Sequence, residues 1–335
     1  MEFLFTDWLG TPAWFWLAFL GLVVALTAFD LGILHKEDRE MGIGESLKLS
    51  AFYIGVALLF GAWVWAQRGA ELGMQYYTGF FIEKALSIDN VFVISLIFTY
   101  FAIPAKYQYR ALLWGIIAVI LLRGLMIAGG AALVSQAYWV LYIFAAFLVF
   151  TGVKMLFAGD KPMDIEGNPV VRWIGRRMRV TKELHAQHFF VRVPDEKTGR
   201  LVIAATPLFL ALVVINLADL VFAVDSVPAI FAITTDTFIV YTSNIMAILG
   251  LRALYFALAA MVHRFHYLKY ALAVVLVFIG LKIFVSDFLL GGDKFPPVLS
   301  LGVTFALIAA GIGYSLWKTR GQEEPDWPAP AHDKA

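Results

Sequence analysis

The sequence predicts an all-α integral membrane protein of nine transmembrane helices, in which two inverted three-helix repeats flank a small cytoplasmic basic helix and β-hairpin insertion. Three observations point there. The 335-residue chain is 61% hydrophobic and 15% charged, with a mean hydropathy of +0.78, far from a soluble domain's balance. Its apolar runs are each about 20 residues long, the length a bilayer requires. Two of those runs also carry the same acidic signature, EKALSIDNV at 83–91 and DLVFAVDSV at 219–227.

Composition removes several classes of function. Basic and acidic residues nearly cancel, leaving a formal charge of +1, and no basic low-complexity tail points to nucleic acid. The chain has no cysteine, which excludes disulfides, thiolate chemistry and Cys-type zinc or iron–sulfur sites. Glu2 and Asp7 precede the first apolar run where a signal peptide would be basic, so that run reads as a retained helix. A GxxxxGK[ST] motif is absent, which disfavours ATP-driven pumping by this chain. No span holds a nucleophile and base in a catalytic spacing, so the chain does not read as an enzyme.

The spans fall at about 12–34, 48–66, 75–101, 110–134, 137–157, 206–232, 237–262, 267–286 and 296–317. Every second connection is basic: Lys36 and Arg39, then Lys106 and Arg110, then the long 158–203 segment, then Arg264 and Lys269. The alternate connections are short and poor in Lys and Arg. This asymmetry places the N-terminus outside and the C-terminus in the cytoplasm. The organisation is one transporter-like domain: 1–74 as the first two helices, 75–157 as a first repeat, 158–203 as a linker, 204–286 as a second repeat, 287–317 as a ninth helix and 318–335 as a tail.

Within the linker, VVRWIGRRMRV at 170–180 suggests a basic helix on the membrane surface. The stretches HFFVRV and RLVIAA, on either side of PDEKTG at 194–199, alternate apolar and polar residues and suggest a β-hairpin. His185 and His188 are three apart here, but without a third ligand they do not make a metal site.

The repeat extends beyond the acidic motifs. LVFTGVKMLF at 148–157 matches LVFIGLKIFV at 276–285, aligning Lys154 with Lys282. LLRGL at 121–125 matches GLRAL at 250–254, aligning Arg123 with Arg252. Spans three to five thus recur as spans six to eight, and three helices per unit invert the second copy. Inverted repeats of this kind build secondary transporters whose site lies near the bilayer midplane.

An ionised side chain at mid-bilayer costs about 2.5–3.5 kcal/mol on insertion scales, so acids there need a compensating partner. A cation crossing the membrane is one. The candidate ligands are Glu83, Asp89 and Asn90 in the first copy and Asn216, Asp219, Asp225 and Ser226 in the second. Six positions turn an ideal helix by about 600°, so Glu83 and Asp89 diverge by about 120° and do not face one ligand from one straight helix. Pro228 suggests a break in span six, because it cannot donate to the Val224 carbonyl beside Asp225. No histidine lies within a span. Carboxylate, amide, hydroxyl and carbonyl oxygens together suit hard cations such as magnesium, calcium and manganese better than zinc or copper.

The plainer reading pairs these acids with buried bases, of which Lys84, Arg123, Lys154, Arg252 and Lys282 are on offer. Lys154 and Lys282 lie near span ends and are expected to snorkel. Arg123 and Arg252 lie mid-span and are expected to act as counter-charges when no cation is bound. Asp30 reads either as an interface anchor or as a third acid on the pathway. Asn244 is a weaker candidate ligand. Four carboxylates at close range cannot all ionise cheaply without a cation, so the empty site is expected to hold a proton that metal displaces.

These residues carry a family resemblance. The segments EKALSIDNVFV at 83–93, HAQHFFVRV at 185–193, ATPLFLALVV at 205–214, DLVFAVDSVPAIFAITTD at 219–236 and TSNIMAILGLRALYF at 242–256 resemble the TerC/Alx family of bacterial inner-membrane proteins, related to the wider LysE-type exporter superfamily. The resemblance implies export of manganese, alone or with other divalent cations. Family members often have a Glu where Asn216 stands, so this chain has one acid fewer there. Two other classes compete: an exporter of an anionic or amino-acid-like substrate bound by the arginines, and a non-transporting scaffold for membrane-protein assembly. The expected partners are a divalent metal ion, protons and the lipid bilayer, with no resident cofactor and no nucleic acid.

Overall fold

The computed structural model describes residues 2–33, 42–137, 139–157, 173, 179–181, 183–194, 201–258, 265, 267–290 and 295–320. Helices dominate it. The first five are α1 (Ala13–Ile33), α2 (Ile43–Arg68), α3 (Ala70–Tyr100), α4 (Ala105–Gln136) and α5 (Val140–Phe157). After the linker come α6 (Pro207–Phe231), α7 (Thr237–Leu249), α8 (Leu251–Leu258), α9 (Leu268–Phe284) and α10 (Pro297–Lys318). Helices α7 and α8 are two parts of one apolar stretch, and α9 runs on into a wider turn at Val285–Leu289.

Among the described residues eight segments are long and apolar enough to cross a membrane. Helix α3 is not one of them although it has 31 residues. Any 18-residue stretch of it contains three charged residues, drawn from Glu71, Glu83, Lys84 and Asp89. The first acidic signature thus lies on a helix that reads poorly as a span, whereas α6, which carries the second, passes.

Local chemistry sets the turns. Gly69, at φ +91°, joins α2 directly to α3 in a backbone conformation that costs glycine little. Thr206 caps α6, its side chain accepting from the Phe209 N–H, with Pro207 in the first turn where a missing N–H costs nothing. Asp236 caps α7 by accepting from the Ile239 N–H at 3.0 Å. It also accepts from Arg68 at 2.8 Å, which ties the end of α2 to the start of α7.

The linker forms a small sheet. Strands β4 (Phe190–Pro194) and β5 (Leu201–Ala205) pair antiparallel, with Phe190 opposite Ala205 and Pro194 opposite Leu201. This is the expected hairpin, its turn at 195–200 lying outside the described residues. The short β3 (Arg179–Val180) adds to β5 in parallel, an edge the sequence did not suggest. A further two-residue pair, β1 (Asp7–Trp8) with β2 (Thr11–Pro12), precedes α1. The expected basic helix falls mostly on residues outside the described set. The bundle thus has two ends, one at Gly69 and one at the sheet.

Packing between helices is close. Helix α3 lies against α2, α6 and α7, and α4 lies against α6 and α7. The most extensive helix pair is α5 with α9. A Cβ on Gly152 would sit 2.6 Å from the Ala273 carbonyl oxygen, and one on Gly280 would sit 2.6 Å from that of Ala145. The two contacts are reciprocal, since the alignment of the two LVFxGxK segments that matches Gly152 with Gly280 also matches Ala145 with Ala273 just before them. That crossing pattern makes α5 and α9 antiparallel.

Pro228 does not break α6, which continues through it to Phe231. It stands in the last turn, where one lost hydrogen bond disrupts little. The interruption lies instead at Gly250, between α7 and α8.

Candidate functional site

Asp219 is the middle residue of the 25-residue α6, about 18 Å from either end at 1.5 Å per residue. Glu83 and Arg123 occupy the middle parts of α3 and α4. The packing of those three helices with α7 brings together Glu83, Asn90, Arg123, Asp219, Ser226 and Asn244, each at most 7% exposed. Charged groups at that depth require partners, and here they supply them to one another.

Arg123 is the hub. It grips Asp219 with two roughly parallel bonds, Nε to Oδ2 at 3.1 Å and Nη2 to Oδ1 at 2.9 Å. Its Nη1 donates to Glu83 Oε1 at 2.5 Å, to Asn244 Oδ1 at 2.8 Å and to Ser226 Oγ at 3.2 Å. Asn244 Nδ2 then donates to Glu83 Oε2 at 3.1 Å, and Asn90 Nδ2 to Asp219 Oδ1 at 3.3 Å. A guanidinium suits this place because its donors are fixed in a plane that matches a carboxylate. The two carboxylates face one guanidinium, so these groups together carry a surplus negative charge when ionised.

Asn90 Oδ1 has no hydrogen-bond partner. It borders a cavity of about 30 Å³ on the sheet side, walled by Val93, Ile94, Leu112, Phe222 and Leu251 with Asp219 at one edge. That is room for about one water, whose share of liquid volume is about 30 Å³. On the Gly69 side a cavity of about 500 Å³ reaches down to Thr78. Thr78 stands five positions before Glu83 on α3, a rise of about 7.5 Å.

The remaining expected site residues lie elsewhere. The side chains of Asp89 and Asp225 are outside the described set. Asn216 donates through Nδ2 to the Leu212 carbonyl at 2.8 Å, and its Oδ1 is buried without a partner. Arg252 does not join the hub as a counter-charge. It forms an ion pair with Asp30 on α1 and lies over the Tyr109 ring at 4.1 Å. Asp30 is thereby a buried ion-pair partner at 5% exposure rather than an interface anchor. Lys84 donates to the Ala247 carbonyl at 3.1 Å, one turn before the Gly250 interruption.

The two matched lysines differ. Lys154 is exposed. Lys282, expected to snorkel, is buried at 7% exposure and donates to Ser300 Oγ on α10 at 3.1 Å. Among the described residues no three of His, Cys, Asp and Glu come together as a metal site. Asn244, ranked low from sequence, stands at the centre of the hub. Tyr109 has no sequence signal that would have found it.

Comparison with known proteins agrees with the sequence resemblance. The model of the integral membrane protein TerC family matches residues 68–323. An uncharacterized membrane protein of Rickettsia bellii is 47% identical over 297 residues, 89% of this chain and 95% of that protein. The uncharacterized membrane protein STKORF319 of Myxococcus xanthus is 43% identical over 321 residues, 96% of this chain and 97% of that one. The Escherichia coli (strain K12) relative named "Putative membrane-bound redox modulator Alx" is 43% identical over 317 residues, 92% and 95% of the two chains. No solved structure matches.

Proposed function

We propose, from the premise that this chain belongs to the integral membrane protein TerC family, that it is a secondary transporter exporting divalent cations, Mn2+ foremost, in exchange for protons. The observation that carries this reading is the Arg123 hub: acids from α3 and α6 meet at mid-span on a single guanidinium. Arg123 acts there as a tethered cation. It keeps Glu83 and Asp219 compensated while the site is empty, and an arriving metal ion competes for the same oxygens. Asp89 and Asp225 would supply further oxygens, and the surplus charge they bring is what a divalent ion and exchangeable protons balance.

Nine spans in inverted repeats fit this reading. The reciprocal Gly152–Ala273 and Gly280–Ala145 contacts support a two-fold relation between the halves. The distribution of Lys and Arg supports a cytoplasmic sheet end and an outward Gly69 end. In that orientation the cavity of about 500 Å³ opens outward. The arginines favour a cation over an anionic or amino-acid-like substrate, because Arg123 and Arg252 are both already held by carboxylates. A redox effect like the one the Escherichia coli relative is named for would come through movement of a redox-active metal, since this chain has no thiol.

A scaffold without transport is the second reading. It is favoured by how completely Glu83 and Arg123 satisfy each other without an ion. Metal uptake into inside-out vesicles, compared across manganese, calcium, magnesium and zinc, separates the two. Manganese-dependent uptake above vesicles lacking the protein supports export, and equal uptake in both favours the scaffold.

A further inference from the structure

The cavity on the Gly69 side holds charge that the hub does not use. Lys282 lines it, and among the described residues its only polar partner is the Ser300 hydroxyl. Asp287, five residues further along the same chain segment, lines it too and accepts from Tyr142 Oη at 2.6 Å, a neutral donor. Arg68, the other base on the wall, is engaged by Asp236. Gln75, one turn below Glu71 on α3, is 9% exposed. Its Nε2 donates to Glu71 at 3.3 Å, which fixes the amide orientation and leaves Oε1 buried without a partner.

Gln75, Thr78 and Glu83 descend α3 in that order toward the hub. A hard cation moves between sites with its water shell, and six waters at about 30 Å³ each need about 180 Å³. The cavity, at about 500 Å³, holds that; the 30 Å³ space on the sheet side does not.

We propose that this cavity is a second cation station, in which Gln75 Oε1 and the Asp287 carboxylate receive a hydrated divalent ion and the Lys282 ammonium keeps its stay brief. The inference rests on the export reading above. A path that moves ions needs binding strong enough to admit the ion and weak enough to release it. A fixed positive charge beside the acceptors lowers the affinity without closing the space, so Lys282 sets the rate at which the station empties.

The test is Mn2+ binding to the purified full-length protein, followed by the electron paramagnetic resonance signal of free Mn2+. Wild type is expected to show a tighter and a weaker class of sites. Asp287→Asn should remove or weaken the weaker class alone. Lys282→Met and Gln75→Glu should each tighten it by about tenfold or more, and Lys282→Arg should leave it where it was. Gln75→Glu and Asp287→Asn decide the matter if Lys282→Met does not fold. Mn2+ bound in one class that none of these variants moves overturns the station and leaves export standing. Wild type that binds no divalent ion overturns the export reading, and the station with it.

Discussion

Asn244 Nδ2 donates to Glu83 Oε2 while Asn244 Oδ1 accepts from Arg123 Nη1, so one amide from α7 bridges the acid of α3 and the base of α4. Glu83 and Arg123 are each 1% exposed and Asn244 is fully buried. The amide thus holds both charged groups in place, on a bridge that joins α3, α4 and α7.

Removing the base should cost more than removing the bridge. Arg123→Gln leaves Glu83 and Asp219 buried without a charge partner, which costs about 3–5 kcal/mol in comparable buried pairs. Asn244→Ala loses hydrogen bonds but leaves the charges paired, a loss of about 1–3 kcal/mol. Thermal unfolding in detergent should therefore rank Arg123→Gln below Asn244→Ala. The reverse order would mean that the guanidinium is not the hub.

Arg252 and Asp30 should behave as one unit. Arg252→Gln strands a buried carboxylate, and Asp30→Asn strands a buried guanidinium. The double variant Asp30→Asn/Arg252→Gln should recover part of the loss, with a coupling of about 0.5–3 kcal/mol in a double-mutant cycle. Strictly additive losses would contradict the pairing.

The α5–α9 contact should respond symmetrically. Gly152→Ala and Gly280→Ala each drive a methyl group to 2.6 Å from a carbonyl oxygen, and overpacking of this kind costs about 1–3 kcal/mol. Similar drops in unfolding temperature are expected from the two. A large drop from one and none from the other would argue against the reciprocal contact.

Metal binding should release protons. Addition of Mn2+ to purified protein in weak buffer near neutral pH is expected to acidify the medium, and Asp89→Asn and Asp225→Asn should reduce or abolish the release. Asn216→Asp, which adds an acid one turn before Asp219 on α6, should tighten Mn2+ binding. Binding without proton release would leave a carrier driven by the gradient or the membrane potential.

Much of this arrangement was legible in the chain. Apolar runs of bilayer length revealed the helices, and the doubled acidic motif with its aligned arginines pointed to Glu83, Asp219 and Arg123. The failures have physical causes. Alignment of Arg252 with Arg123 suggests a common role, but α1, which is not part of the aligned segments, brings Asp30 to Arg252. Pro228 looked like a break because sequence alone does not show that its helix ends three residues later. Lys282 looked free to snorkel until α10 set Ser300 against it. Asn244 carries no periodic signal; only the packing of α7 on α3 and α4 makes it central.

The central claim is that this chain by itself moves a divalent cation through the Arg123-centred acids. The most direct measurement is Mn2+ flux into proteoliposomes of the purified protein, wild type against Asp219→Asn, which keeps the shape and an acceptor for Arg123 but removes the charge. The account predicts flux in wild type and none in Asp219→Asn at matched thermal stability. Equal flux in both, or none in wild type, would contradict it.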